Sequence, residues 1–104
     1  MTRLEVDNWL SLLKSDEIKW ARGSFVRPTG YCVLGVLCLS LGFEPKAFEA
    51  ETHRFLATKL PVSIQATLAN LSDTATDFKP AIEWIEANYG LLCGFEGLPN
   101  ETSL

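Results

Sequence analysis

Cys32 and His53 are the residue types of a nucleophile–base pair, and Cys32 lies near the start of an apolar run, where a helix N-terminus would favour the thiolate. The flanks oppose that chemistry. Tyr31-Cys32-Val33-Leu34-Gly35-Val36-Leu37-Cys38 is apolar around both thiols, and a buried free cysteine behaves as a small inert hydrophobe. His53 stands in Glu51-Thr52-His53-Arg54, where a solvent-facing helical histidine is expected, and no carboxylate is placed to orient it. Cys32, Cys38, Cys93 and His53 are also the right kinds of ligand for zinc. Six residues of helix turn through about 600°, which leaves Cys32 and Cys38 about 120° apart around the axis and nearly two turns apart along it. One ion could hardly bridge them, so the sequence predicts no catalytic residues, no metal and no cofactor.

The surface offers more. Lys14, Lys19, Arg22 and Arg27 gather around Trp20 and Phe25, interrupted by Asp16 and Glu17. Such a cluster is either a solvated loop or a partner-binding edge. Trp84, with Glu83 and Glu86 beside it, is a second candidate patch. The partner-binding candidates are therefore Trp20, Arg22 and Arg27, then Trp84 and Glu86.

Composition bounds what those residues can serve. At 104 residues the chain is one domain. With 47% hydrophobic and 21% charged residues it matches a globular protein rather than a disordered or coiled-coil chain. Nine Lys and Arg against 13 Asp and Glu give a net charge of -4, which disfavours direct nucleic-acid binding. The longest apolar run, Tyr31 to Leu41, is far short of the ~18 residues that suggest a membrane span. Met1 to Asp7 mixes charges without a following apolar stretch, so a signal peptide is not expected and the mature chain should start at Met1. Three cysteines without a secretory signal suit reduced thiols in a host-cell cytoplasm.

The elements that must position these residues follow from periodicity. Thr2 and Glu5 have capping-box spacing, and Val6, Trp9, Leu10 and Leu13 make an apolar stripe, predicting a helix from Arg3 to Lys14. Ser24-Phe25-Val26 reads as a short strand entering a turn at Arg27-Pro28-Thr29-Gly30. Tyr31 to Leu41 is apolar on every side and Gly42 suits a left-handed cap, so this is the expected central helix, with Gly35 marking a close approach of another backbone. A helix over Pro45 to Ala57 should turn Phe48, Thr52, Phe55 and Leu56 inward. A short one from Pro61 should turn Ile64, Leu68 and Leu71 inward and Gln65, Thr67 and Asn70 outward. Asp77 should cap a last helix from Phe78, closed by Gly90. The chain from Leu91 onward is expected to be irregular, giving a domain over 1–92 and a tail over 93–104. The fold class is thus mainly α: four or five short helices around the central one, with one short β element.

Arg22-Gly23-Ser24-Phe25-Val26 followed by Gly30-Tyr31-Cys32-Val33-Leu34-Gly35-Val36-Leu37-Cys38 resembles small phage and prophage proteins that carry a Gly-Tyr/Phe-Cys-Cys-Leu-Gly-Val-Leu-Cys signature after an Arg-Gly or Lys-Gly pair. Leu60-Pro61, Leu68 to Asp73, Phe78 and Ile82 to Asn88 are similar to that family's later segments, in the same order. Val33 stands where the family has a second cysteine, and Ser72 where it has asparagine. The resemblance implies phage origin and supplies no reaction. The function expected is a non-enzymatic binding protein that inhibits a host system, such as a CRISPR or other immune nuclease complex, by contact with a host protein or complex. The alternatives are a phage accessory protein without inhibitory role and a small cysteine hydrolase using Cys32 and His53.

Overall fold

The Thr2 hydroxyl accepts the Glu5 N–H at 3.0 Å while the Glu5 carboxylate accepts the Thr2 N–H at 2.9 Å, a reciprocal capping box that starts α1, Arg3–Lys14, at the expected residue. The computed structural model describes residues 1–21, 23–45 and 50–94. Among them the order continues with β1 (Val26–Arg27), β2 (Gly30–Tyr31), α2 (Val33–Ser40), α3 (Ala50–Ala57), α4 (Val62–Asp73), α5 (Lys79–Ala87) and α6 (Tyr89–Cys93). The protein is mainly helical, with one small two-stranded sheet. No helix of the described residues is long and apolar enough to cross a membrane.

Helix α2 is the centre. Every residue from Val33 to Cys38 is buried, because an element apolar on all sides must be covered on all sides. Helix α1 packs along it, and the fully buried Trp9 donates its indole N–H to the Val33 carbonyl at 3.1 Å. At the far end Gly42 has φ +81°, the Gly42 N–H reaches the Leu39 carbonyl at 3.0 Å and the Phe43 N–H reaches the Cys38 carbonyl at 2.9 Å. These are the two bonds of a Schellman motif, which only a left-handed residue can close. Thr52, Leu56, Leu68, Ala81, Ile85 and Leu92 bring the remaining helices onto the same core.

Several boundaries differ from the sequence reading. Helix α2 begins at Val33 rather than Tyr31, because Tyr31 is spent on pairing: its N–H donates to the Lys19 carbonyl at 2.8 Å, and its carbonyl accepts the Ala21 N–H at 2.9 Å. The strand starts two residues later and ends one residue later than expected, with Val26 opposite Tyr31 and Arg27 opposite Gly30 around a Pro28-Thr29 turn. Helix α3 is described from Ala50, and Phe48 lies outside the described residues. Helix α4 is not short; with 12 residues it equals α1. Gln65 is half-buried instead of solvated, its amide donating to the Leu60 carbonyl at 2.9 Å. Asp77 does bond the start of α5, to the Lys79 N–H at 3.0 Å, although the cap residue is Phe78. Gly90 does not end α5. Asn88 does, with its side-chain amide on the Trp84 carbonyl at 2.8 Å, and the chain turns directly into α6. Leu91 to Cys93 are thus helical where an irregular tail was expected, and Leu92 is fully buried. The last ten positions of that tail lie outside the described residues.

Candidate functional site: an apolar groove near Arg27

The described residues between Lys19 and Arg27 have little regular structure of their own, so other elements must hold them. The end of α4 does most of this. The Trp20 indole N–H donates to the Ser72 carbonyl at 3.2 Å, the Gly23 N–H donates to the Asp73 carboxylate at 3.1 Å, and the buried Ser72 hydroxyl accepts from the Val33 N–H at 3.4 Å. That last bond serves the first turn of α2, whose own cap, Cys32, contributes no side-chain bond. Gly35 closes the arrangement from below. A Cβ there would fall on the Phe25 carbonyl oxygen, so the chain at Phe25 lies directly against the backbone of α2. The close approach expected at Gly35 is real, and its partner is the segment before β1.

This packing places Phe25 over a shallow groove of about 270 Å³, lined also by Leu34, by His53 of α3 and by Val62, Gln65, Ala66 and Ala69 of α4. A smaller hollow of about 140 Å³ adjoins it, bounded by Gly23, Ser24, Phe25 and His53. Phe25 and His53 line both, their rings edge to face with centroids 4.9 Å apart. Val62 is 73% exposed, an unusual exposure for so apolar a side chain. The Arg27 guanidinium folds back over Gly23, close enough that a Cβ at residue 23 would lie 2.9 Å from it.

The residues singled out in the sequence fall into three groups. Arg27 is exposed at the rim of the smaller hollow; Trp20 is half-buried and tied down through its indole; Arg22 lies outside the described residues. Trp84 and Glu86 belong elsewhere. Trp84 is half-buried against the core, and Glu86 pairs with Lys14 of α1 at 2.6 Å, both side chains about half exposed. Lys14 therefore braces α1 against α5 rather than joining Lys19 and Arg27. His53 is exposed as expected, yet its ring is part of the groove wall, which its polar sequence neighbours did not signal.

The thiols are placed differently. Cys32 and Cys38 are buried, and Cys93 is half-buried. Burial raises the Cys32 thiol above its ordinary pKa, with the nearby Asp73 charge acting the same way against backbone hydrogen bonds that lower it. Cys38 is pushed up to about 12, by burial first and by the proximity of Cys32 second. No hydrogen bond of the described residues joins Cys32 to His53, whose ring contact is with Phe25. Among the described residues no three His, Cys, Asp or Glu side chains converge as a metal site would require.

The groove was missed because its helical wall is a second stripe on α4. Val62, Gln65, Ala66 and Ala69 recur at i, i+3, i+4 and i+7, beside the larger Ile64, Leu68 and Leu71 stripe that faces the core. Two small alanines and a glutamine do not announce an apolar face. The comparisons add nothing to this geometry: no protein-family model, no curated protein and no solved structure matches the chain.

Proposed function

We propose that the protein is a phage-encoded, non-enzymatic binding protein that inhibits a host system, an immune nuclease complex being the kind in view, by contact with a host protein. The observation that carries this reading is an open apolar groove with the exposed Arg27 beside the hollow that adjoins it, since protein recognition combines an apolar anchor site with charged rim groups. The resemblance of Arg22 to Cys38 to small phage proteins supports the phage origin. Burial of Cys32 and Cys38, which disfavours the thiolate, supports action through a surface over nucleophilic chemistry.

The test is copurification from host-cell lysate with the wild-type chain and with Arg27→Glu. A host protein retained by the wild type and weakened at least about 30-fold by the variant, ~2 kcal/mol in binding, is the expected result. A lysate that yields no stoichiometric partner speaks against inhibition by contact and for an accessory role.

A further inference from the structure

Among the described residues the Ser24 hydroxyl makes no hydrogen bond, although Ser24 is only 8% exposed. Its backbone is pinned on both sides. The Gly23 N–H is bonded to the Asp73 carboxylate, and the chain at Phe25 lies against the backbone of α2 at Gly35. A buried hydroxyl without a partner is costly, so its partner has to come from outside the chain. Ser24 lines the smaller hollow, and that hollow shares Phe25 and His53 with the groove, which makes the two one continuous site. Their volumes, about 140 and about 270 Å³, together sit at the lower end of the ~300 to 1,000 Å³ of small-molecule sites. No Asp, Glu, Lys or Arg is among the described residues that line either part. The charged groups next to the hollow, the Arg27 guanidinium over Gly23 and the Asp73 carboxylate on the Gly23 N–H, are of opposite sign. Neither an anion nor a cation is favoured there.

We infer that the hollow and groove bind a small neutral aromatic molecule carrying one hydroxyl or amide group, its ring on Phe25, His53 and the alanines of α4 and its polar group on the Ser24 hydroxyl. The ring follows from the lining. Phe25 and His53 already meet edge to face, an arrangement that a further ring extends, and the small Ala66 and Ala69 leave room for it. The polar group follows from Ser24. Water can meet that hydroxyl but gains nothing from Phe25, Leu34, Ala66 and Ala69, whereas a molecule with both parts satisfies both kinds of surface. The absence of a charge on the molecule follows from the opposed signs beside the hollow. This inference goes beyond contact with a host protein and does not depend on it.

The experiment is titration of the isotope-labelled full chain with phenol, benzamide, toluene, benzoate and benzylammonium, followed through its backbone amide NMR shifts. Phenol and benzamide should shift the amides of Ser24, Phe25, His53, Ala66 and Ala69. They should bind about three- to tenfold more tightly than toluene, the span of one neutral hydrogen bond, and more tightly than either ion. Ser24→Ala should abolish that preference over toluene, and Ala66→Trp, at an exposed position on the groove, should weaken all the neutral probes. Because the Ser24 hydroxyl has no internal bond to lose, Ser24→Ala should unfold at the same denaturant concentration as wild type or a higher one. No shift with any probe, shifts confined to another face, toluene bound as tightly as phenol, a preference that survives Ser24→Ala, or a clearly lower unfolding midpoint for that variant would each overturn the inference. Its failure is separable from that of the binding-protein reading. A host protein captured by a chain that binds no probe removes the small-molecule site alone, whereas probes bound without a captured host protein remove the inhibitor alone.

Discussion

At the scale of single residues, the two thiols of α2 decide between chemistry and packing. Cys38 is fully buried and Cys32 nearly so, and burial raises both thiols, so neither is a ready nucleophile at neutral pH. Native protein treated with a thiol reagent should modify Cys93 first and leave Cys32 and Cys38 to react at the rate of global opening; labelling of Cys32 as fast as in denaturant would contradict the assignment. Gly35 makes a second residue-scale prediction. Alanine is the better helix former by ~1 kcal/mol, yet its methyl would occupy the position of the Phe25 carbonyl. Gly35→Ala should therefore destabilise by about 1–3 kcal/mol, measured by chemical denaturation, while at an open helical site it would stabilise. The sequence announced Gly35 because a glycine inside an otherwise ideal helix calls for a steric cause. It gave no such cue for Ser72, whose buried hydroxyl serves the N-terminus of a helix 39 residues away in sequence.

Elements were legible where local chemistry decides them and blurred where a distant strand or helix does. Helix α1 has a capping box and a clean stripe, and the structure reproduces its limits. Tyr31 was read as helical because its own neighbourhood is helical in character, whereas its pairing with Lys19 and Ala21 is a tertiary choice. Helix α6 went unseen because five residues are too few to show a period and Gly90 looked like a stop. The capping box also ties α1 to the end of α3, since the Glu5 carboxylate accepts from Lys59 at 2.8 Å. Burial alone would raise the Glu5 pKa, but hydrogen bonds from Lys59 and the Thr2 N–H, with the positive charges of Lys59 and the amino terminus, hold it below the usual 4.5. A carboxyl lowered on folding contributes stability that is fully present above pH 4.5 and is lost as pH falls through its folded value. Glu5→Gln should accordingly be less stable than wild type by ~1 kcal/mol at pH 7, and the gap should narrow as pH is lowered below 4.5 in parallel urea titrations. A gap independent of pH would mean that the carboxylate charge contributes nothing to the cap.

For the molecule as a whole, the mainly helical class, the central helix and its covering shell could be read from the apolar run at Tyr31 to Leu41 and the stripes around it. Charge drew attention to Lys19, Arg22 and Arg27, whereas the groove arises only when Phe25, His53 and α4 meet, three pieces far apart in the chain. That meeting is what α2 accomplishes, by holding Phe25 against Gly35 and receiving Ser72 at its first turn. If the protein is a binding protein, the groove face carries its activity and the thiols serve packing. The most direct test is retention of a host protein from lysate on immobilised wild-type chain, on Cys32→Ala and on Arg27→Glu, each first shown to be folded by circular dichroism. Retention should be equal on wild type and Cys32→Ala and lost on Arg27→Glu. Retention or inhibition abolished by folded Cys32→Ala and untouched by Arg27→Glu would contradict it.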